Sequence, residues 1–207
     1  MEKPCPFSNC SPKEEALYKS VLALLDEGYV LIDLKVSDIA KKAGVGKGTT
    51  YEYFKSKEEL IGKALFYSLH LKIENLLYEI RKEKGFRNIL YAIFNWMDEN
   101  LNADHFLYQI LSIDGVGYKI PEEVRTVLLN ETHLFQIIQE KLGEFGKCAA
   151  QEGLIPKDAS QNLVNISIIN GIISYMVYLR FQKTMNEVNK DQMKAFVYNS
   201  ILGAFRV

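Results

Sequence analysis

Several features that define whole classes of protein are scarce or missing in this 207-residue sequence. The three cysteines are too few, and odd in number, for a disulfide scaffold. No run alternates apolar and polar residues for long, so strands are not expected. A basic segment followed by an apolar run is missing at the N-terminus, and no nucleophile elbow, phosphate loop, Ser/His/Asp ordering or HExxH helix occurs. We therefore expect a cytoplasmic protein that is not an enzyme and needs no metal or cofactor.

Long apolar runs are also rare, and only one stretch raises the question of a membrane helix. Residues 163–179 carry no charge, but the stretch is short for a bilayer span and contains two asparagines, two serines and a glycine. A buried helix of a soluble body is the better interpretation.

What the sequence does have is a local concentration of basic residues. The formal net charge of the whole chain is −1. Between Lys35 and Lys63, seven lysines stand beside four acidic residues, so this segment carries +3 and the remainder −4. Such a segment on an otherwise acidic body fits a limited nucleic-acid footprint. From charge alone, an ordinary solvated surface is the simpler interpretation. The choice between that surface and a nucleic-acid-binding segment therefore depends on the residues between the lysines.

Apolar residues recur at helical spacing almost throughout the chain, which predicts an all-α fold. Glycine and proline divide the pattern into about nine helices. The predicted spans are roughly 13–27, 36–43, 47–54, 57–84, 86–102, 104–113, 121–152, 158–184 and 189–205. We predict an N-terminal tail at residues 1–12, a first domain of three helices at residues 13–56 and a larger helical domain at residues 57–207.

The second and third predicted helices form a helix-turn-helix pattern. Their connection at residues 43–46 contains Gly44, which can adopt the positive φ that ends the first of the two helices. In the following helix, Thr50 and Phe54 lie four residues apart and should face inward. The remaining side chains, which include two tyrosines, a lysine and a threonine, are left for the outer surface. They are suited to contacts with phosphates and sugars.

The fourth helix should begin close to the same surface. Ser56 and Glu59 have the spacing of a capping box, with Ser56 as N-cap. A helix N-terminus next to Lys57 predicts a second anion site.

The run VSDIAKKAGVGKGTTYEYFKSKEEL at residues 36–60 resembles the DNA-binding signature of the tetracycline-repressor (TetR) family of bacterial regulators. The resemblance implies a homodimer that binds a palindromic operator and releases it when a small molecule enters the second domain. Glu52 departs from the family pattern, because a larger aromatic or basic residue is often found there. We predict that the residues contacting DNA are Lys35, Ser37, Lys47, Gly48, Thr49, Tyr51, Glu52, Tyr53 and Lys57.

Candidate ligand-binding residues in the second domain are polar or aromatic groups on apolar helix faces. Glu131 interrupts an apolar stripe, where a carboxylate needs a partner such as a cationic ligand or a structural ion pair. Aromatic side chains could line an apolar pocket or simply belong to the core. His70, on the fourth helix, is a ligand contact or a core histidine. The candidate set is His70, Trp96, Tyr108, Gln109, Glu131 and Tyr175.

The function that the sequence favours is a ligand-responsive transcriptional regulator, most simply a repressor, released by a small apolar or cationic effector. A helical sensor or adaptor on a repressor-like scaffold that does not bind DNA is the alternative, but an adaptor has no need of an outward basic recognition helix. The last two helices carry more apolar surface than one small body needs to cover, so we predict that they form the homodimer interface.

Overall fold

The computed structural model describes residues 10–101, 121–130 and 132–206. Regular structure within these ranges is entirely helical, which confirms the all-α prediction with about nine helices. The elements are α1 (Pro12–Asp26), a 3-10 turn (Leu31–Asp33), α2 (Val36–Ala43), α3 (Lys47–Tyr53), α4 (Lys57–Ile80), α5 (Phe86–Asn100), α6 (Glu122–Asn130), α7 (Thr132–Gln151), α8 (Gln161–Phe181) and α9 (Lys190–Gly203).

Some helix boundaries differ from the prediction. Helix α4 ends at Ile80, and α8 and α9 are each a few residues shorter than expected. Helices α4 and α8 stop where an apolar stripe gives way to a polar run, because those residues have nothing to pack against, and α9 ends at Gly203. The helix predicted at 104–113 lies outside the described residues. Glu131, within the single helix predicted at 121–152, also lies outside the described residues.

The chain divides into two compact units. Unit 1 holds the described residues of 1–73 and 112–132, and unit 2 those of 74–111 and 133–207. Helix α4 contributes to both, since its residues up to Ile73 belong to unit 1 and the rest to unit 2.

In unit 1, α1 packs on α2 and α2 packs on α3. Ser11 and Glu14 form a capping box at the start of α1, in which the Ser11 hydroxyl accepts from the Glu14 amide and the Glu14 carboxylate accepts from the Ser11 amide. The core is built from apolar side chains that these helices and the start of α4 bury almost completely: Leu17, Val21, Leu34, Ile39, Phe54, Leu60, Ile61, Ala64 and Leu65. Helix α6 crosses α4 at Gly62, where an added Cβ would stand 2.7 Å from the Val127 Cβ atom.

In unit 2, α5, α8 and α9 pack against one another. The Phe94 and Tyr175 rings lie 4.5 Å apart between centroids, and Phe145 of α7 stacks on Phe86 at 4.4 Å. Gly171 lets α9 approach α8 closely, because an added Cβ would stand 2.6 Å from the Ile201 Cδ1 atom.

Helix α8 is apolar on two opposite sides. One side carries Val164, Ile168, Tyr175 and Leu179, which are buried in the core of unit 2. The other side exposes Leu163, Ile166, Val177 and Phe181. By length and composition, α8 is the one helix of the described residues apolar enough to cross a membrane, but core helices of soluble proteins pass the same test.

Candidate DNA-binding surface

The turn between α2 and α3 has the geometry that the sequence predicts. Gly44 ends α2 with φ 70° and ψ 25°, a left-handed conformation that glycine adopts without steric cost. The Val45 amide then donates to the Ala40 carbonyl at 3.0 Å, which closes the end of α2. Gly46 begins α3 in an extended conformation. The chain therefore turns sharply and presents α3 immediately after α2.

Helix α3 buries one side and exposes the other. Thr50 and Phe54 are 2% and 1% exposed, and the Thr50 hydroxyl donates to the Gly46 carbonyl at 3.3 Å. The outward residues follow the prediction with a gradation. Lys47, Gly48, Tyr51 and Glu52 are exposed, whereas Thr49 and Tyr53 are half-buried along the edge of the helix.

Four lysines around this helix-turn-helix are exposed and form no ion pair among the described residues. Lys35 and Lys41 belong to α2 and its N-cap, Lys47 opens α3, and Lys55 lies between α3 and α4. Their ammonium groups are free to meet phosphates. Lys41 and Lys55 were not among the predicted contacts, although a count of lysines near α3 would have suggested them.

Other lysines of the segment are engaged within unit 1. Lys42 reaches the Glu27 carboxylate at 2.6 Å and so ties the end of α2 to the end of α1. Lys63 pairs with Glu59 at 3.0 Å, one turn earlier in α4. Glu27 lies outside the segment 35–63, so the pair with Lys42 lowers the charge that is free for a partner below +3, whereas Glu59 is already counted in that figure.

Lys57, a predicted phosphate contact, has an intramolecular partner. Its ammonium donates to the carbonyl of Ile32 in the 3-10 turn at 3.1 Å and lies 3.9 Å from the Glu58 carboxylate. The side chain therefore ties the connection between α1 and α2 to the start of α4. The sequence gives no signal for this hydrogen bond, because the acceptor is a backbone group 25 residues away.

The start of α4 has half of the predicted capping box. The Ser56 hydroxyl accepts from the Glu59 amide at 3.0 Å, as expected of an N-cap. The Glu59 carboxylate accepts from the Lys55 amide at 2.7 Å instead of the Ser56 amide. Burial raises the pKa of Glu59, but hydrogen bonds from the Lys55 amide and Lys63 outweigh it, so the pKa lies below its usual value.

The remaining predicted DNA contacts lie on the same helices. Ser37 is exposed in the first turn of α2, with its hydroxyl 3.3 Å from the Asp38 carboxylate, and Lys35 is the N-cap residue of that helix. Lys35, Ser37, Lys47, Gly48, Tyr51 and Glu52 are thus all exposed on α2 and α3 within unit 1.

The candidate ligand-binding residues are distributed over both units. His70 is buried on α4 in unit 1, with its ring centroid 6.4 Å from that of Phe66. Trp96 is buried in unit 2, and its indole N–H donates to the Asn75 side chain at 2.8 Å. Tyr108, Gln109 and Glu131 lie outside the described residues. The cationic-ligand hypothesis rests on Glu131 and therefore stays a prediction.

Tyr175 belongs to a buried polar cluster that the sequence analysis did not find. Its hydroxyl donates to the Asp98 carboxylate at 3.0 Å. The ammonium groups of Lys194 and Lys190 lie 2.7 Å and 3.0 Å from oxygens of the same carboxylate. Lys194 also donates to the Asn95 side-chain oxygen at 2.7 Å. Lys194 is only 6% exposed. The sequence does contain a signal for this cluster. Lys194, Val197 and Ile201 follow one another at spacings of three and four residues, and a lysine in such an apolar stripe requires an acidic partner.

The cluster shifts the proton affinities of its members. Burial raises the pKa of Asp98, but hydrogen bonds from Lys194, Lys190 and Tyr175 outweigh it and hold the pKa below its usual value. Burial, followed by the hydrogen bond to Asp98, strongly raises the pKa of Tyr175. The cluster thus holds a charged carboxylate between α5, α8 and α9.

No group of three or more His, Cys, Asp or Glu side chains that could hold a metal ion occurs in the described ranges. The two cysteines there, Cys10 and Cys148, are free thiols. Cys148 donates to the Glu152 carboxylate at 3.6 Å, and that carboxylate accepts from the Phe86 amide at the start of α5.

Taken together, these features define a helix-turn-helix protein with a second helical unit. Residues 32–64 match the family described as "Bacterial regulatory proteins, tetR family". No curated protein matches the chain in sequence. The matched residues span α2, α3 and the first turns of α4, so this part of the chain is similar to the helix-turn-helix segment of TetR-family regulators.

Solved structures share this fold at low sequence identity. The transcriptional regulator FadR from Bacillus subtilis, in complex with stearoyl-CoA, is 20% identical with a TM-score of 0.61, covering 92% of this chain and 97% of that chain. The fatty acid degradation regulator FadR from Bacillus halodurans is 17% identical with a TM-score of 0.62, covering 99% and 97%. A TetR/AcrR-family regulator from Thermobifida fusca is 17% identical with a TM-score of 0.59, covering 95% and 100%.

Proposed function

We propose that this protein is a cytoplasmic, ligand-responsive repressor that binds a palindromic operator as a homodimer. The observation that carries the proposal is the outer side of the helix-turn-helix. There, exposed Lys47, Tyr51 and Glu52 of α3 stand beside the unpaired lysines of α2 and its N-cap. An exposed tyrosine among unpaired lysines does not contribute to the stability of a folded domain. Both types of side chain make contacts with the phosphate backbone of DNA.

Homodimer formation is supported by the exposed apolar side of α8. Leu163, Ile166, Val177 and Phe181 are between 44% and 59% exposed, and Phe196 of α9 is 62% exposed. Large apolar side chains gathered on one side of a helix indicate an interface. The remaining apolar side chains of the two helices are buried within the chain and are not available for the interface: Val164, Ile168, Tyr175, Leu179, Val197, Ile201 and Leu202.

We propose that the effector binds in unit 2 and is a small apolar or cationic molecule. The aromatic core of unit 2, with Phe86, Phe94, Trp96 and Tyr178, supports an apolar ligand. Because the Bacillus subtilis neighbour is described in complex with stearoyl-CoA, long-chain acyl-CoAs are the first compounds to test. Helix α4 would transmit the ligand's effect, since it belongs in part to each unit.

The test begins with purified protein and a library of random DNA duplexes. Selection should enrich one inverted repeat whose half-site centres lie about one helical turn, or a multiple of it, apart. Sedimentation should show a dimer at micromolar concentration, and one dimer should bind each enriched duplex. Failure to enrich any duplex would leave the adaptor alternative in place, and a monomer on DNA would refute the homodimer.

A further inference from the structure

The row of α3 residues that points farthest from the core of unit 1, here called the outermost line, carries a carboxylate. A helix turns by about 100° per residue, so Glu52 lies about 200° around the axis from the buried Thr50 and about 160° from the buried Phe54. Glu52 therefore points directly away from the core of unit 1. Gly48, four residues earlier, lies on the same line. When α3 enters a major groove with its buried side toward the protein, this line reaches deepest.

Glu52 is the one side chain on that line. Gly48 has no Cβ, and a Cβ added there would meet nothing within 4 Å. Helical side chains lean toward the N-terminus of their helix, so the Glu52 carboxylate leans over the space that Gly48 leaves open. The adjacent lines, Lys47 with Tyr51 and Thr49 with Tyr53, lie nearer the walls of the groove, where phosphates and sugars are met.

The Glu52 carboxylate has no partner in the free protein. It forms no ion pair and no hydrogen bond with any of the described residues, although lysines surround α3. A carboxylate brought among phosphates without a hydrogen-bond donor weakens binding, since like charges repel and its hydration is lost. In the major groove, the donors on base edges are the amino groups of cytosine and adenine.

The two amino groups differ in what lies beside them. Adenine places its N7 acceptor next to the amino group, and this acceptor would repel the second carboxylate oxygen. The cytosine amino group can be approached from the C5–H side of its own base, where no acceptor lies. We propose that Glu52 reads a cytosine in each operator half-site and that this contact is the main base-specific hydrogen bond of the recognition helix. The inference rests on the proposed DNA-binding function.

The first experiment repeats the duplex selection with wild-type protein, Glu52→Gln and Glu52→Ala. Wild type should fix one cytosine in each half-site. Glu52→Gln should change that position toward adenine, because a carboxamide can pair with the adenine N6 and N7 atoms. Glu52→Ala should lose the preference at that position and keep the rest of the site. Glu52 is exposed and forms no hydrogen bond or ion pair with the described residues, so both variants should unfold at the wild-type temperature.

A second experiment isolates the hydrogen bond. In the selected operator, the cytosine is replaced by N4-methylcytosine, which keeps the Watson–Crick pair but removes the amino hydrogen facing the groove. Wild-type affinity should fall about tenfold, the size of one lost base contact. Glu52→Ala should bind both duplexes equally.

The outcomes separate the inference from the function on which it rests. If wild type enriches no duplex, DNA binding itself fails and the inference falls with it. If wild type enriches an operator but the Glu52 variants select the same bases at every position, DNA binding stands and the reading of cytosine is refuted. Uniformly tighter binding of Glu52→Ala to all duplexes would also refute it, since Glu52 would then only repel phosphates.

Discussion

At the scale of single residues, the lysines of the proposed DNA-binding surface fall into two kinds. Lys47 is exposed and forms no ion pair with the described residues, whereas Lys57 donates a hydrogen bond to the Ile32 carbonyl. We predict that Lys47→Ala weakens binding to all DNA sequences and lowers the salt dependence by about 0.9 per phosphate contact removed. Affinity measured across a salt series checks this. Lys157→Ala, an exposed lysine in a loop of unit 2, should leave the slope unchanged.

Lys57→Ala should have a second effect that Lys47→Ala lacks. Loss of the hydrogen bond to Ile32 frees the connection between α1 and α2, so the thermal stability of the protein should fall together with its affinity for DNA. Thermal unfolding of the two variants, compared without DNA, distinguishes them. Equal melting temperatures would show that the contact with Ile32 contributes nothing to stability.

The buried cluster around Asp98 offers a matched pair of lysines. Lys194→Met should lower the free energy of unfolding by about 3 kcal/mol, because it removes a buried partner of the carboxylate. Lys190→Met removes a partner whose side chain is 34% exposed, and about 0–1 kcal/mol is expected. Urea unfolding followed by the fluorescence of Trp96, the single tryptophan, reports on the same unit. Equal losses in the two variants would contradict the assigned burial.

Asp98 also makes stability depend on pH. Its pKa is lowered in the folded protein, so its contribution is fully present above the unfolded value of 3.8 and is lost as the pH falls through the folded pKa. Wild-type unfolding free energy should therefore fall as the pH drops below about 4. Asp98→Asn should be less stable at neutral pH but lose less on acidification. Parallel pH profiles would rule out this linkage.

At the scale of helices, glycine-to-alanine substitutions at two positions compare the effect of close helix packing with the effect of helix propensity. Gly171→Ala places a methyl group 2.6 Å from the Ile201 Cδ1 atom, and overpacking should destabilise by about 1–3 kcal/mol. Gly143→Ala, inside α7 with open space around it, should stabilise by up to about 1 kcal/mol. Urea unfolding of both variants tests this contrast. The loss at Gly171 should shrink in Gly171→Ala/Ile201→Val, and an unchanged loss would place the clash elsewhere.

Helix periodicity and glycine chemistry account for what could be predicted. The end of α2 needs a residue in the left-handed conformation, which Gly44 supplies, and the four-residue spacing of Thr50 and Phe54 predicts the buried side of α3. Helix α2, the turn and α3 could therefore be predicted from local rules. The hydrogen bond from Lys57 to Ile32 and the cluster around Asp98 join residues distant in sequence, and no local pattern encodes such pairs. Periodicity also could not tell which apolar side of α8 is buried, because both sides are apolar.

At the scale of the whole molecule, dimerisation should be required for operator binding. Val177→Glu places a charge on the exposed apolar side of α8 and should give monomers in sedimentation without unfolding the chain. Its operator affinity should fall by more than tenfold, because a single half-site provides half the contacts. Lys157→Glu introduces the same residue in a loop and should stay dimeric. A dimeric Val177→Glu protein would exclude this side of α8 from the interface.

The effector can be sought through linkage between its binding and DNA binding. Compounds that raise the melting temperature, beginning with acyl-CoAs of increasing chain length and lipophilic cations, should weaken operator binding. The operator should weaken the binding of each such compound reciprocally by about 1–3 kcal/mol. Stabilising compounds that leave operator affinity unchanged would show that this protein is not an inducible repressor.

The division of α4 between the two units limits where this chain can be cut and joined to another protein. Its first turns supply Leu60, Ile61, Ala64 and Leu65 to the core of unit 1, so a fragment ending at Ser56 would lack part of its own interior. A chimera that joins unit 1 to a foreign sensor should therefore be spliced within the helix, beyond Ile73, and its new partner must replace α6, which packs on Gly62 in unit 1. The splice must also keep the helical phase, since one extra residue turns everything after it by about 100°.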